Sequence, residues 1–161
     1  MDYEKRIRAS YNSEIKRVPL HLRGNDVSDM CIAHAVTIVE KSGIGQITSR
    51  AEQFVLVSKL RDMLHYAILK GSFDYQTLRI EPDDEERNGQ QLYSALDYIA
   101  RGVSDVYVSQ VANAQFELTP EEVIPYCKSL LWLCNIATVA DVNKDLYDQY
   151  FGAAEKCPSK Q

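Results

Sequence analysis

The side chains of this chain with the most chemical potential are its carboxylates, and two groups stand out by spacing. Five of the six positions from 81 to 86 are acidic: Glu81, Asp83, Asp84, Glu85 and Glu86. Asp141, Asp145 and Asp148 recur at i, i+4 and i+7, one stripe of a helix, with Tyr147 among them. Carboxylates grouped in this way hold a divalent cation, move protons, or meet a cationic partner. A calcium loop of the EF-hand kind needs acidic residues at positions 1, 3 and 5, glycine at 6 and glutamate at 12. The stretch "DDEERNGQQLYS" fails at most of these positions. No metal and no cofactor is expected.

Other constellations are thinner. Asp62 and His65 form a D-x-x-H pair, two potential ligands on one helix face, but di-metal sites in helical bundles require a second such pair and matching carboxylates. The same segment, "RDMLHY", is similar to helical ribonucleases of the HEPN group, in which an arginine and a histidine lie four to six residues apart in a bundle. Here three residues separate Arg61 from His65, and an aspartate follows the arginine. That resemblance implies RNA cleavage by Arg61 and His65. Asp83 to Glu86 and Asp145 to Asp148 resemble, loosely, the paired E-x-x-E and E-x-x-D magnesium ligands of all-α nucleotide pyrophosphatases, which implies hydrolysis of nucleotides. "SGIGQI" precedes a helix whose N-terminus attracts anions, yet it lacks the lysine and the preceding strand of a phosphate-binding loop.

Cys31, Cys127, Cys134 and Cys157 contain no C-x-x-C pair, so zinc and dithiol chemistry are disfavoured. Cys127 and Cys134 share a helix face but stand about 10 Å apart along its axis, too far for a disulfide. Reduced, structural thiols are expected. Cys31 and His34 also share a face, in an apolar stripe where a satisfied core histidine is the ordinary outcome.

Charge and aromatic content favour binding over catalysis. The net charge is −5, divided as +3 over residues 1–80 and −8 over residues 81–161. Such an acidic half disfavours nucleic acid and suits a basic protein. Ten tyrosines against four phenylalanines add interface character, and tyrosine beside carboxylate suits lysine or arginine groups. Tyr93, Tyr98 and Tyr107 flank one apolar seam, and Tyr147 and Tyr150 lie among the aspartates. The expected function is therefore that of a non-enzymatic, immunity-protein-like inhibitor. Its acidic helical surface would neutralise a basic partner such as a nuclease toxin, through Glu81, Asp83, Asp84, Glu85, Glu86, Asp141, Asp145, Asp148 and Tyr147. The alternative is a helical nuclease or nucleotide hydrolase using Arg61/His65 or the carboxylates. A positive N-terminal helix facing the acidic half of a second copy makes a homodimer conceivable.

These side chains need a scaffold, and the apolar period is helical nearly throughout. Tyr3, Ile7, Tyr11, Ile15 and Val18 predict a first helix ended by Pro19. Asp26 is the expected cap of a second, whose stripe is Val27, Met30, Cys31, His34 and Ile38, stopping at "KSGIG". Ser49 and Glu52 predict a capping box for a third, with Phe54, Val57, Leu60, Leu64, Ala67 and Ile68 inward and Gly71 as its end. Residues 72–89 read as a break containing, at most, a brief extended piece. Leu92, Leu96, Ile99, Val103 and Val106 form a narrow seam, with Gly102 marking a close helix contact or a kink. Thr119, Pro120 and two glutamates open the next helix, which Pro125 is expected to kink or to divide. "SLLWLCNIA" is apolar all round, as a central helix must be, and a last helix is expected near 141–156. The chain thus reads as one all-α domain over residues 1–161, a bundle of about six helices. With no secretory leader or membrane-spanning run in view, a cytoplasmic location with no membrane contact is expected.

Overall fold

Helix boundaries follow the local chemistry closely. The computed structural model describes residues 4–5, 7–9, 25–47, 49–80, 90–113 and 118–139, and among them there is no strand. Helix α1 is Asn25–Ser42. It begins one residue before Asp26, which therefore lies in the first turn rather than at the cap. Gly43 ends it with φ 78, the left-handed conformation in which glycine has no steric penalty, and a single 3-10 turn, Ile44–Gln46, follows. Helix α2 is Arg50–Lys70, capped by Ser49, whose side chain accepts from the Glu52 amide, and closed by Gly71 at φ 67.

The break after α2 is less extended than the sequence suggests. Asp74 accepts from the Thr77 amide at 3.0 Å and caps a four-residue helix, α3, Tyr75–Leu78. Phe73 and Leu78 on either side are fully buried, which pins this turn to the core. Helix α4 is Gln90–Val108 and ends in a π turn, Ser109–Asn113. Helix α5 is Pro120–Val139. The Thr119 amide donates to the Glu122 carboxylate at 2.8 Å, the returning half of a capping box.

Pro125 does not divide α5. It removes one bond, to the carbonyl of Glu121, whose residue is exposed and open to water. A proline inside a helix costs about 3 kcal/mol. Burying a large apolar side chain is worth about 1.5–3 kcal/mol, and α5 buries Tyr126, Leu130, Leu131 and Leu133 completely. Burial wins.

Helix α5 is the hub of the bundle and packs on α1, α2 and α4. From Ser129 to Asn135 it is buried on every side, with Trp132 half-buried, as the composition of that stretch predicts. The seam of α4 is also as expected: Leu92, Leu96, Ile99 and Val103 are buried, and Val106 packs at the edge. Gly102 marks a close contact. A methyl group there would stand 2.8 Å from Ile38 Cγ1, so the missing side chain is what lets α4 approach α1. The buried face of α1 is broader than its predicted stripe, adding Ile32, Ala35 and Val39. Near the N-terminus, Ile7 is fully buried and Arg8 pairs with Asp29 of α1 at 2.9 Å.

Three of the six residues expected on the inward face of α2 are not buried there. Gln53, Leu56, Val57, Leu60, Met63 and Ala67 are buried, while Phe54 and Leu64 sit at the margin and Ile68 is exposed. Apolar residues lie on both sides of this helix, so periodicity alone does not orient it. The helix predicted at 141–156 and most of the one predicted before Pro19 fall outside the described residues.

Candidate functional site

The outer side of α2 carries the features most open to a ligand or partner. Lys59, Asp62, Met63 and Tyr66 recur at i, i+3, i+4 and i+7 and form one wall of a cleft of about 330 Å³. The other wall is the segment after the α3 cap, with Thr77, Leu78, Arg79 and Ile80. Met63 and Leu78 are buried and make an apolar floor; Lys59, Asp62 and Arg79 supply charge at the rim. Next to the cleft, the second half of α2 leaves large apolar groups in solvent: Tyr66 is 48% exposed, Ile68 44% and Leu69 82%. Lys70 lies over the Tyr66 ring, 5.4 Å from its centre.

The cleft's second wall is held from behind. The Tyr75 hydroxyl donates to Asp97 at 2.5 Å, Arg101 donates to the other oxygen of Asp97 at 2.9 Å, and the guanidinium lies 4.3 Å from the centre of the Tyr75 ring. Partial burial pushes the Asp97 carboxyl up, but the bonds from Tyr75 and Arg101 outweigh it and hold the group below the usual carboxylate range. The bond to Asp97 in turn raises Tyr75. Asp74 is held down chiefly by the backbone N–H of Thr77. This latch fastens the α3 turn, and with it one wall of the cleft, to α4.

A second polar cluster lies at the edge of the core, where His34 is half-buried. His34 Nδ1 stands 2.6 Å from the hydroxyl of Tyr126, across the α1–α5 contact, with the rings edge to face. With the ring neutral and its proton on Nε2, the hydroxyl donates. Burial lowers the His34 pKa. Cys31, Cys127 and Cys134 are buried free thiols. Burial pushes Cys127 and Cys134 up to about 12 and raises Cys31 as well, with the two neighbouring thiols adding to its shift. Such thiols stay protonated and unreactive. His34 is thus a half-buried histidine with a tyrosine partner, and no thiolate stands ready beside it.

The residues singled out by sequence are unevenly placed. Glu81, Asp83, Asp84, Glu85, Glu86, Asp141, Asp145, Tyr147 and Asp148 all lie outside the described residues. Asp62 lines the cleft; Arg61 and His65 do not, and His65 is exposed on the same outer face as Tyr66 and Leu69. Tyr93 and Tyr107 pack against the core, Tyr107 beside Phe73, while Tyr98 is exposed. Among the described residues no three His, Cys, Asp or Glu side chains are grouped as metal ligands, and no helix is long and apolar enough to cross a membrane.

The Tyr75–Asp97–Arg101 latch went unread in the sequence. Asp97 and Arg101 are spaced i, i+4, a visible signal, but Tyr75 joins them only through the fold. No protein family matches the chain, and no curated protein or solved structure is significantly similar to it.

Proposed function

We propose that this chain is a non-enzymatic binding domain for a basic protein, acting as small immunity and inhibitor proteins do when they mask a nuclease toxin. The observation that carries the reading is the outer face of α2, where Tyr66 and Leu69 stand in solvent beside an open cleft. Exposed apolar groups clustered on one element mark interaction surfaces. The cleft wall ends at Ile80, and the acidic run begins at the next residue, Glu81. An apolar anchor region followed directly by concentrated negative charge suits a partner rich in lysine and arginine. The carboxylates would steer its approach and set the salt dependence, while the apolar groups would slow its release. A reducing cytoplasm suits the three buried thiols.

Affinity capture from the native host, with wild type, Asp83/Asp84/Glu85/Glu86→Ala and Leu69→Ser, tests the proposal. The expected result is a basic protein retained by wild type and released by salt. The alanine variant should lose most of it, and Leu69→Ser should weaken retention by about tenfold, the equivalent of about 1.4 kcal/mol. Equal retention by all three proteins would remove both surfaces from the mechanism. RNA or nucleotide turnover that disappears in His65→Ala would replace the binding reading with the enzymatic one.

A further inference from the structure

We infer that the outer face of α2 is a self-association surface, on which a second copy of this chain lays its own α2 in antiparallel orientation. Val55, Lys59, Asp62, Tyr66 and Leu69 recur at steps of 4, 3, 4 and 3, the heptad spacing by which one helix packs along another. With 3.6 residues per turn, all five lie within about 40° of one line down the helix. The core-facing side, with Leu56, Leu60, Met63 and Ala67, is turned away from that line and already filled. None of the five is buried, and the three apolar members, Val55, Tyr66 and Leu69, are exposed. The helix therefore carries a second apolar stripe that no other described element covers.

Charge selects the occupant. The centre of the stripe holds both signs three residues apart, Lys59 and Asp62, so a helix of one sign meets a like charge at one of them. A copy of the same helix, turned by a two-fold axis level with the Leu60–Arg61 peptide bond, sets each lysine beside the other chain's aspartate. Two-fold interfaces are self-complementary in this way: residue i meets j, and j meets i. The same rotation sets Val55 beside Tyr66 twice and lays Leu69 against the first turn of the other helix. Asp62 is exposed and makes no ion pair among the described residues. Lys59 already has a contact within its own chain. An ammonium has three donors, so a second carboxylate adds to that contact rather than replacing it.

The central charges set register more than affinity. Exposed ion pairs add little binding energy, and a polar residue in the seam of a helix pair fixes its alignment at a cost in stability. The pair is therefore weak, with dilute protein monomeric and concentrated protein dimeric. This assignment stands apart from the basic partner proposed above, but it uses the same anchors. Tyr66 and Leu69 hold one occupant or the other, not both.

Sedimentation equilibrium of the full chain, over a thousandfold range of concentration, tests the inference. The mass is expected to rise from one chain to two. Leu69→Ser, at a position 82% exposed, should weaken association at least tenfold with the far-ultraviolet circular dichroism unchanged. Lys59→Asp and Asp62→Lys each bring like charges together across the two-fold and should, alone, weaken it at least tenfold. An equimolar mixture of those two proteins should associate as strongly as wild type, because every central contact again joins opposite charges. Leu69→Ser keeps the test independent of whether Lys59→Asp folds, since Lys59 is half-buried. Asp83/Asp84/Glu85/Glu86→Ala should associate as wild type does, which separates this pairing from one driven by the acidic run. A single-chain mass throughout, wild-type association in Leu69→Ser, no recovery in the mixture, or loss of association in the alanine variant would each overturn the assignment. Each of these would leave capture of a basic protein to be judged by its own experiment.

Discussion

Helices α5 and α2 are nearly equal in length, 20 and 21 residues, and both are rich in apolar side chains, yet the bundle treats them differently. Helix α5 is enclosed by α1, α2 and α4, and even its polar Ser129 and Asn135 are buried. Helix α2 buries one face and leaves the other open from Asp62 onward, ending at Leu69. Apolar composition therefore measures how much a helix is able to bury, and position in the bundle decides how much of that is used. The unused part of α2 is the surface proposed above for a partner, and a cleft opens beside it.

The sharpest way to break this contrast is to truncate one leucine on each helix. Leu130→Ala, in the enclosed helix, should lower unfolding free energy by about 2–5 kcal/mol in a urea titration, through lost burial and the cavity left behind. Leu69→Ser, on the open face, should stay within about 0.5 kcal/mol of wild type in the same measurement. Comparable losses at both sites would mean that the outer face of α2 is not free.

A smaller effect is expected at the α1–α4 contact that supports the hub. Gly102→Ala gains about 1 kcal/mol of helix propensity but drives a methyl group onto Ile38 Cγ1, a branch near the backbone with little freedom to move. Overpacking costs about 1–3 kcal/mol, so the variant should be less stable than wild type by about 1 kcal/mol. Adding Ile38→Ala should then cost less than it does in the wild-type background, a coupling that a double-mutant cycle reads directly.

The smallest effect concerns pH. His34 titrates below its ordinary value of 6.5 because burial disfavours the charged ring. The unfolded chain therefore binds the proton first, and stability falls as pH drops from 6.5 through the folded-state value. Above 6.5 this contribution is fully present. His34→Gln should flatten stability over that window when unfolding is followed at a series of pH values; an unchanged slope would assign the dependence to other groups.

Much of the architecture was legible in the sequence because its signals are local. Ser49, Gly43 and Gly71 mark helix ends by side-chain and backbone chemistry that needs no tertiary information. The α4 seam was legible because its apolar stripe is narrow. Ile68 was misplaced because α2 is apolar on both sides, so only its neighbours choose the face. The α3 turn was missed although "DYQT" holds a capping aspartate three residues before the amide it accepts from. Its short length hid it, and burial of Phe73 and Leu78 stabilises it. The cleft was not legible at all. Lys59 and Arg79 are twenty positions apart, and only the return of the chain past α2 brings them to one cleft.

The π turn at Ser109–Asn113 has a consequence for tolerated changes in chain length. A π turn accommodates one residue more than an α turn. Within α4, losing a residue rotates everything downstream by about 100°, the step of an α-helix, and turns Leu96 or Ile99 away from the core. At 109–113 the surplus residue is already present, so a single deletion there lets the turn relax to α-helical winding while the seam before it keeps its register. Length variants of this fold should therefore gather at the end of α4, where the helix holds a spare place.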